Sequence, residues 1–225
     1  MKNPIYPLTL PKPDPLGATH ALDIWAGCGA GCAYCDSAKH LRCDYTAEAT
    51  ATLREGIVAA VHRQLSQIRR DEVAAGAAQP MTVMVGRWWD ALPPGVDTEA
   101  AQTILRMIKA HGHRLIVCTK QPDVAALDML DAGDTLCVSI GGSAGAQEPG
   151  ALPLADRLCR LFDVQEATGC TTAARVLILD RAYSLRLAGL PVDRIVWEKP
   201  RRLATVGFIT EDMFLANSGG RGAFA

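Results

Sequence analysis

The sequence predicts an α/β protein built on a parallel sheet, and three observations point there. Strand-like apolar runs alternate with segments of helical periodicity along most of the chain. The runs are continuously apolar, as in strands covered on both faces, instead of alternating as in a half-exposed antiparallel sheet. Repeated strand–helix units imply parallel pairing with helical crossovers. Periodicity leaves a doubly wound sheet and a curved partial barrel equally open.

Residues 1–19 form a Pro-rich arm, with prolines at 4, 7, 11, 13 and 15 that disfavour regular structure. The first strand is expected at 21–25, ending in Gly27. Thr46 can cap a long helix whose apolar face is Leu53, Ile57, Val61, Leu65 and Ile68, spaced by four, four, four and three residues. Residues 81–85 read as the second strand. Asp97 or Thr98 caps a helix that turns Ile104, Leu105 and Ile108 inward. Strands follow at 114–118, 135–140, 172–179 and 192–197. Helical pieces fall between them at 124–129, 154–167 and 181–188, and Leu158, Leu161 and Phe162 lie on one side of the middle piece. Residues 141–150 are a Gly/Ser loop. The chain from 201 to 225 is an extension with a loose Gly-rich end. The main domain is therefore placed at 20–200.

The 225 residues carry 23 basic and 24 acidic side chains, and 49% of residues are hydrophobic. That is ordinary globular composition and excludes disordered, collagenous and coiled-coil chains. A net charge of −1 argues against a binder of nucleic acid or membrane surface that works mainly by charge. No apolar run approaches the roughly 20 residues of a membrane span, and no signal peptide is recognised. These features predict a cytoplasmic protein, where clustered cysteines read as metal ligands or redox groups and not as disulfides.

Eight cysteines are present, at 28, 32, 35, 43, 118, 137, 159 and 170. Three of them form the sharpest feature of the chain, Cys28-Gly-Ala-Gly-Cys32-Ala-Tyr-Cys35, directly after the first predicted strand. Glycines 27, 29 and 31 let the backbone wrap closely around a metal centre. Three thiolates leave one iron of a four-iron cluster open to another ligand. The competing reading is a structural zinc on the three cysteines plus His40 or Cys43. That alternative predicts a non-catalytic binding domain. A third keeps the cluster as a redox centre only.

The Cys-x3-Cys-x2-Cys spacing, with Tyr34 just before the last cysteine, resembles the signature of the radical S-adenosylmethionine superfamily. The resemblance implies a partial parallel (β/α)6 barrel with the motif after its first strand. It implies a [4Fe–4S] cluster on Cys28, Cys32 and Cys35, with S-adenosylmethionine chelated to the fourth iron. Reductive cleavage would then give a 5′-deoxyadenosyl radical that takes hydrogen from a substrate. The electron would come from a flavodoxin or ferredoxin type of donor.

Three further stretches are similar to spore photoproduct lyase-like members: Val85-Gly86-Arg87-Trp88-Trp89-Asp90-Ala91-Leu92-Pro93, Val117-Cys118-Thr119-Lys120 and Val138-Ser139-Ile140. They suggest a nucleic-acid base as a possible substrate. The chain differs in its paired tryptophans, in Asp36 where those enzymes tend to have tyrosine, and in its shorter length.

The resemblance also distributes roles over the strand ends. Tyr34 is a cofactor contact, and Gly86, Arg87 and Trp88 lie where the cofactor's methionine amino group is held. Ser139 is placed for a ribose hydroxyl. Lys120 or Arg175 is placed for the carboxylate, and Cys43 for returning a hydrogen atom. Arg175 interrupts an apolar strand, so it needs a buried partner, either that carboxylate or one from the protein. Trp88 or Trp89 can stack on adenine or pack under the sheet. Cys118 and Cys137 read as core residues, and Cys159 and Cys170 as structural. His111 and His113 read as solvent-facing, and Lys199, Arg201 and Arg202 as a basic patch. Asp180 and Glu198 stand at strand ends without an assigned role.

Overall fold

The computed structural model describes residues 14–32, 35, 50–76, 80–141, 148–177, 189–198 and 222–224. Its strands are β1 (His20–Leu22), β2 (Trp25–Ala26), β3 (Thr52–Leu53), β4 (Thr82–Val85), β5 (Arg114–Thr119), β6 (Thr135–Gly141), β7 (Thr171–Leu177), β8 (Arg194–Glu198) and β9 (Gly222–Phe224). Its helices are α1 (Ile57–Ala75), α2 (Glu99–Ala110) and α3 (Leu154–Thr168). Seven strands form one sheet in the order β1-β4-β5-β6-β7-β8-β9, each parallel to its neighbour. The sheet is open, with β1 and β9 at its edges.

The strand order never reverses, which separates this sheet from a doubly wound one. Right-handed crossovers in an unreversed order place every helix on the same face. The packing agrees. Val83, Val85, Leu115, Val117, Leu136, Val138, Ala174 and Ile195 share one core with Ile57, Val61 and Leu65 of α1, Ile104, Leu105 and Ile108 of α2, and Leu161 and Val164 of α3. The alternate residues of the same strands, Met84, Ile116, Cys118, Cys137, Ala173 and Val196, form a second cluster on the opposite face. Among the described residues that cluster draws on no helix; Leu16 and Ala18, ahead of β1, cover it. The apolar runs thus follow from two-sided burial.

Several sequence expectations change. The first strand stops at Leu22, and Trp25–Ala26 turns away to pair antiparallel with Thr52–Leu53. The polar break is Asp23, whose carboxylate accepts the amides of Trp88 and Trp89. Leu53 is therefore in a hairpin strand and exposed, not on the helix face. The helix starts only at Ile57, because Gly56 in a left-handed conformation (φ +67°) redirects the chain. Thr46 lies outside the described residues.

Residues 124–129 form successive three-residue turns in place of a helix, with Leu127 N bonded to Val124 O and Leu130 N to Leu127 O. The end of the chain is not loose throughout, since β9 pairs with β8. Helix α2 starts as expected. Thr98 holds the cap position, and the Asp97 carboxylate accepts the Glu99 amide at 2.9 Å. The predicted piece at 181–188 lies outside the described residues. No described helix is long and apolar enough to cross a membrane.

His113 is buried, against expectation, and its Nδ1 accepts the Met81 amide at 3.4 Å. Burial pushes its pKa below the ordinary 6.5; Glu72 opposes this, and His111 and His20 add to it. The unfolded chain binds a proton near 6.5 where the folded chain resists it. Stability is therefore expected to fall as pH drops below 6.5. Urea denaturation on either side of that pH should show the loss, and His113→Gln should flatten it in part. His20 is depressed by burial in the same direction and retains the rest.

Candidate functional site

The ends of the parallel strands lie along one edge of the sheet, and the sequence-predicted residues converge there. After β1 and β2 the chain enters the cysteine loop. Gly27, Gly29 and Gly31 have φ of +80°, +63° and +61°, a conformation that a side chain would strain. These three bends fold the loop back on itself. Cys28 and Ala30 are buried against Trp89, and Cys32, Cys35 and Trp88 pack on the same cluster. A turn bond joins Cys35 N to Cys32 O at 3.0 Å. Tyr34, His40 and Cys43 lie outside the described residues. Among the described residues no three His, Cys, Asp or Glu side chains already converge on one metal ion.

The segment after β4 is the second wall. Gly86 has φ +90°, and a Cβ there would collide with the Cys118 carbonyl oxygen and lie 2.9 Å from the Ala91 nitrogen. This close approach lets Ala91 N donate to Cys118 O at 3.1 Å, which stitches the loop to β5. Two carboxylates hold the same loop. Asp23 accepts Trp88 N at 2.8 Å and Trp89 N at 3.1 Å. Asp90 accepts the Thr119 hydroxyl at 2.5 Å, Lys120 N at 2.7 Å and Leu92 N at 2.9 Å. Burial raises the pKa of both, and these hydrogen bonds oppose the rise. The Arg87 guanidinium stands over the Trp88 ring, 5.7 Å from its centroid. The tryptophans therefore pack beside the cysteines at the strand ends, not beneath the sheet.

A charged group completes the edge. The Lys120 ammonium is 3.4 Å from Glu148, whose other oxygen pairs with Arg157 at 2.5 Å. Burial alone would lower the Lys120 pKa. Glu148 first, then Cys32 and Asp90, outweigh it and hold the ammonium protonated above its ordinary range. Lys120 is thus a cation enclosed beside the cysteine loop. Ser139 is half-buried on the helix-free face, and its carbonyl accepts Arg157 Nη1 at 2.8 Å.

Arg175 lies on that face as well, but its partner is a protein carboxylate. Its Nη2 is 2.7 Å from Asp14 Oδ2, and its Nη1 is 3.7 Å from Met84 Sδ. The sequence demanded a buried partner and left its identity open; in the structure it is Asp14. Cys118, Cys137 and Cys170 are buried, whereas Cys159 is exposed and no part of the core. Asp180, Lys199, Arg201 and Arg202 lie outside the described residues, and Glu198 ends β8.

The structure thus brings Cys28, Cys32, Cys35, Gly86, Arg87, Trp88, Trp89 and Lys120 to one edge, and pairs Arg175 with Asp14. It adds Asp23, Asp90, Thr119, Glu148 and Arg157. Most of these bond to residues distant in sequence, so local pattern could not single them out. Comparison with protein-family models gives no match for this chain, and comparison with curated proteins gives none either.

Proposed function

We propose that the chain is an enzyme of the radical S-adenosylmethionine superfamily, with a [4Fe–4S] cluster on Cys28, Cys32 and Cys35. The observation that carries this reading is the packing of the Cys-x3-Cys-x2-Cys loop against Trp88 and Trp89 at the C-terminal edge of a parallel sheet, beside the half-buried ammonium of Lys120. Ligands in open α/β sheets bind at that edge. The donor set fits the group: three soft thiols suit an iron–sulfur cluster and leave one iron for the cofactor. The Lys120 ammonium suits the negative charge that thiolates would bring.

A curved sheet would support the same reading. β4 and β7 are three strand spacings apart, roughly 14 Å in a flat sheet. Arg175 nevertheless reaches Met84, which favours a concave helix-free face and a partial barrel.

When bound, the cluster and S-adenosylmethionine supply a reductively started hydrogen abstraction from substrate. The chain's own residues bind, orient and exclude water. Trp89 and Ala30 cover Cys28. Asp23 and Asp90 fix the backbone of residues 86–92, where Gly86, Arg87 and Trp88 would hold the cofactor's methionine end. Lys120 or Arg175 would offer the carboxylate contact; each is ion-paired in the chain, with Glu148 and Asp14 respectively. Ser139 offers a ribose contact. A small flavodoxin or ferredoxin type of protein would deliver the electron, and a nucleic-acid base is the substrate class that the photoproduct-lyase resemblance suggests.

Anaerobic reconstitution with iron and sulfide tests this reading. About four irons per chain with broad visible absorbance are expected, and both should be lost in Cys32→Ala. Adding S-adenosylmethionine and dithionite should release 5′-deoxyadenosine. A colourless protein holding one tight zinc would overturn the assignment. Iron without 5′-deoxyadenosine would leave an iron–sulfur redox protein.

A further inference from the structure

Segment 148–150, which follows β6, meets both the cysteine loop and the strand ends. Its first residue, Glu148, is only 6% exposed and is held from three sides. Arg157 of α3 pairs with it at 2.5 Å, Lys120 approaches it at 3.4 Å, and the Gly141 amide donates to it at 3.1 Å. Arg157, 3% exposed, is itself fixed by the carbonyls of Leu152 at 2.6 Å and Ser139 at 2.8 Å. Its last residue, Gly150, donates its amide to Ala30 O at 3.0 Å, between Cys28 and Cys32. The carbonyl of Gly150 accepts Gln121 Nε2 at 3.1 Å. The contact is backbone on backbone: a Cβ on Gly150 would collide with Gly29 O and lie 2.9 Å from Ala30 Cα.

We infer that Glu148 and Arg157 are positioning residues, which together hold segment 148–150 as a brace across the cysteine loop. An ion pair is suited to this task. Removing one partner leaves the other charged and buried, so the brace is closed with both present and forced open with either missing. Both act on the loop through Gly150 and Ala30. The role assigned to the loop as a cluster site rests on the reading above, whereas the brace itself is a property of the chain alone.

The test therefore uses the full chain, purified anaerobically before iron is added. Iodoacetamide labelling is followed cysteine by cysteine by mass spectrometry. In Glu148→Gln and Arg157→Met, labelling of Cys28 is expected to rise about tenfold, as befits local opening after loss of a charged hydrogen bond. Cys118 in β5 and Cys170 just ahead of β7, both buried, should label as in the unaltered protein. Arg157→Lys, which keeps the charge, should recover part of the protection. Gln121→Ala removes only the Gln121–Gly150 bond and should give a smaller rise, which keeps the test available if an ion-pair variant does not fold. Unchanged Cys28 labelling overturns the inference, as does an equal rise at Cys118 and Cys170. Iron loading of the same preparations reports separately on the cluster. Iron absent from the unaltered protein, with Cys28 exposed only in the variants, would sink the cluster reading and leave the brace intact.

Discussion

Replacing Gly86 by alanine is expected to lower the unfolding free energy by about 2 to 5 kcal/mol, from left-handed strain of about 1–2 and overpacking of about 1–3. The strain comes from φ +90°. The overpacking comes from two backbone neighbours, the Cys118 carbonyl and the Ala91 amide, which cannot swing aside as a flexible side chain would. Gly76 provides the control. It has φ +65° at the end of α1, but nothing lies within 4 Å of a Cβ there. Gly76→Ala should therefore cost only the strain, about 1 kcal/mol. Urea denaturation of the two variants separates the terms. Equal costs would mean that residues 86–91 are not stitched to β5 in the way described. The local consequence extends to the site, because the same segment carries Trp88, Trp89 and Asp90. Gly86→Ala should also lose iron on reconstitution while keeping all three cysteines.

How much of this was legible beforehand depended on whether the deciding interaction was local. The strands at 82–85, 114–119 and 135–141 were readable because burial on both faces leaves unbroken apolar runs. The cysteine loop was readable because its glycines and thiols are neighbours, and all three glycines adopt the left-handed conformation. The choice between a doubly wound and a singly wound sheet was not readable. It depends on which strands pair, and pairing is invisible to periodicity.

Leu53 shows how a local pattern can mislead. It sits at helical spacing from Ile57, yet Gly56 ends the helix before reaching it and Trp25–Ala26 takes it as a strand partner. The buried polar groups were the least legible. Arg175 announced that it needed a partner, but Asp14 is 161 residues away. Asp23 serves amides 65 and 66 residues on. Glu148 and Arg157 are only nine residues apart, but a loop carboxylate and a helix arginine ordinarily face water, so nothing local marked them as a buried pair.

Asp90 yields the other large effect, and its pH dependence has an unusual sign. Its carboxylate is enclosed, although the residue as a whole is only partly covered, and three donors point at it: the Thr119 hydroxyl and the amides of Lys120 and Leu92. Asp90→Ala strands all three, and at about 1–3 kcal/mol for each unsatisfied buried group a loss of at least about 3 kcal/mol at neutral pH is expected. Asp90→Asn keeps an oxygen for part of the set and should cost about half as much.

The titration then distinguishes a desolvated carboxylate from a salt-bridged one. Burial raises the folded pKa of Asp90 above 3.8, and the hydrogen bonds from Thr119 and Lys120 with the Lys120 charge offset only part of that rise. A group with a raised folded value lends its full stability below 3.8 and loses it as pH climbs through the folded value. The cost of Asp90→Asn should therefore shrink as pH rises from 3.8 towards neutrality. Asp131 behaves oppositely. Lys109 holds its pKa below the ordinary range, so the smaller cost of Asp131→Asn should hold steady above about 3.8 and shrink as pH falls below it. Asp23, also raised by burial, remains in both variants and cancels from each difference. Denaturation series at several pH values would show the two opposite trends, that of Asp90 above 3.8 and that of Asp131 below it. A cost of Asp90→Asn that grows with pH would mean that the Lys120 charge outweighs burial, and that the edge of the sheet beside the cysteines is wetter than its geometry implies.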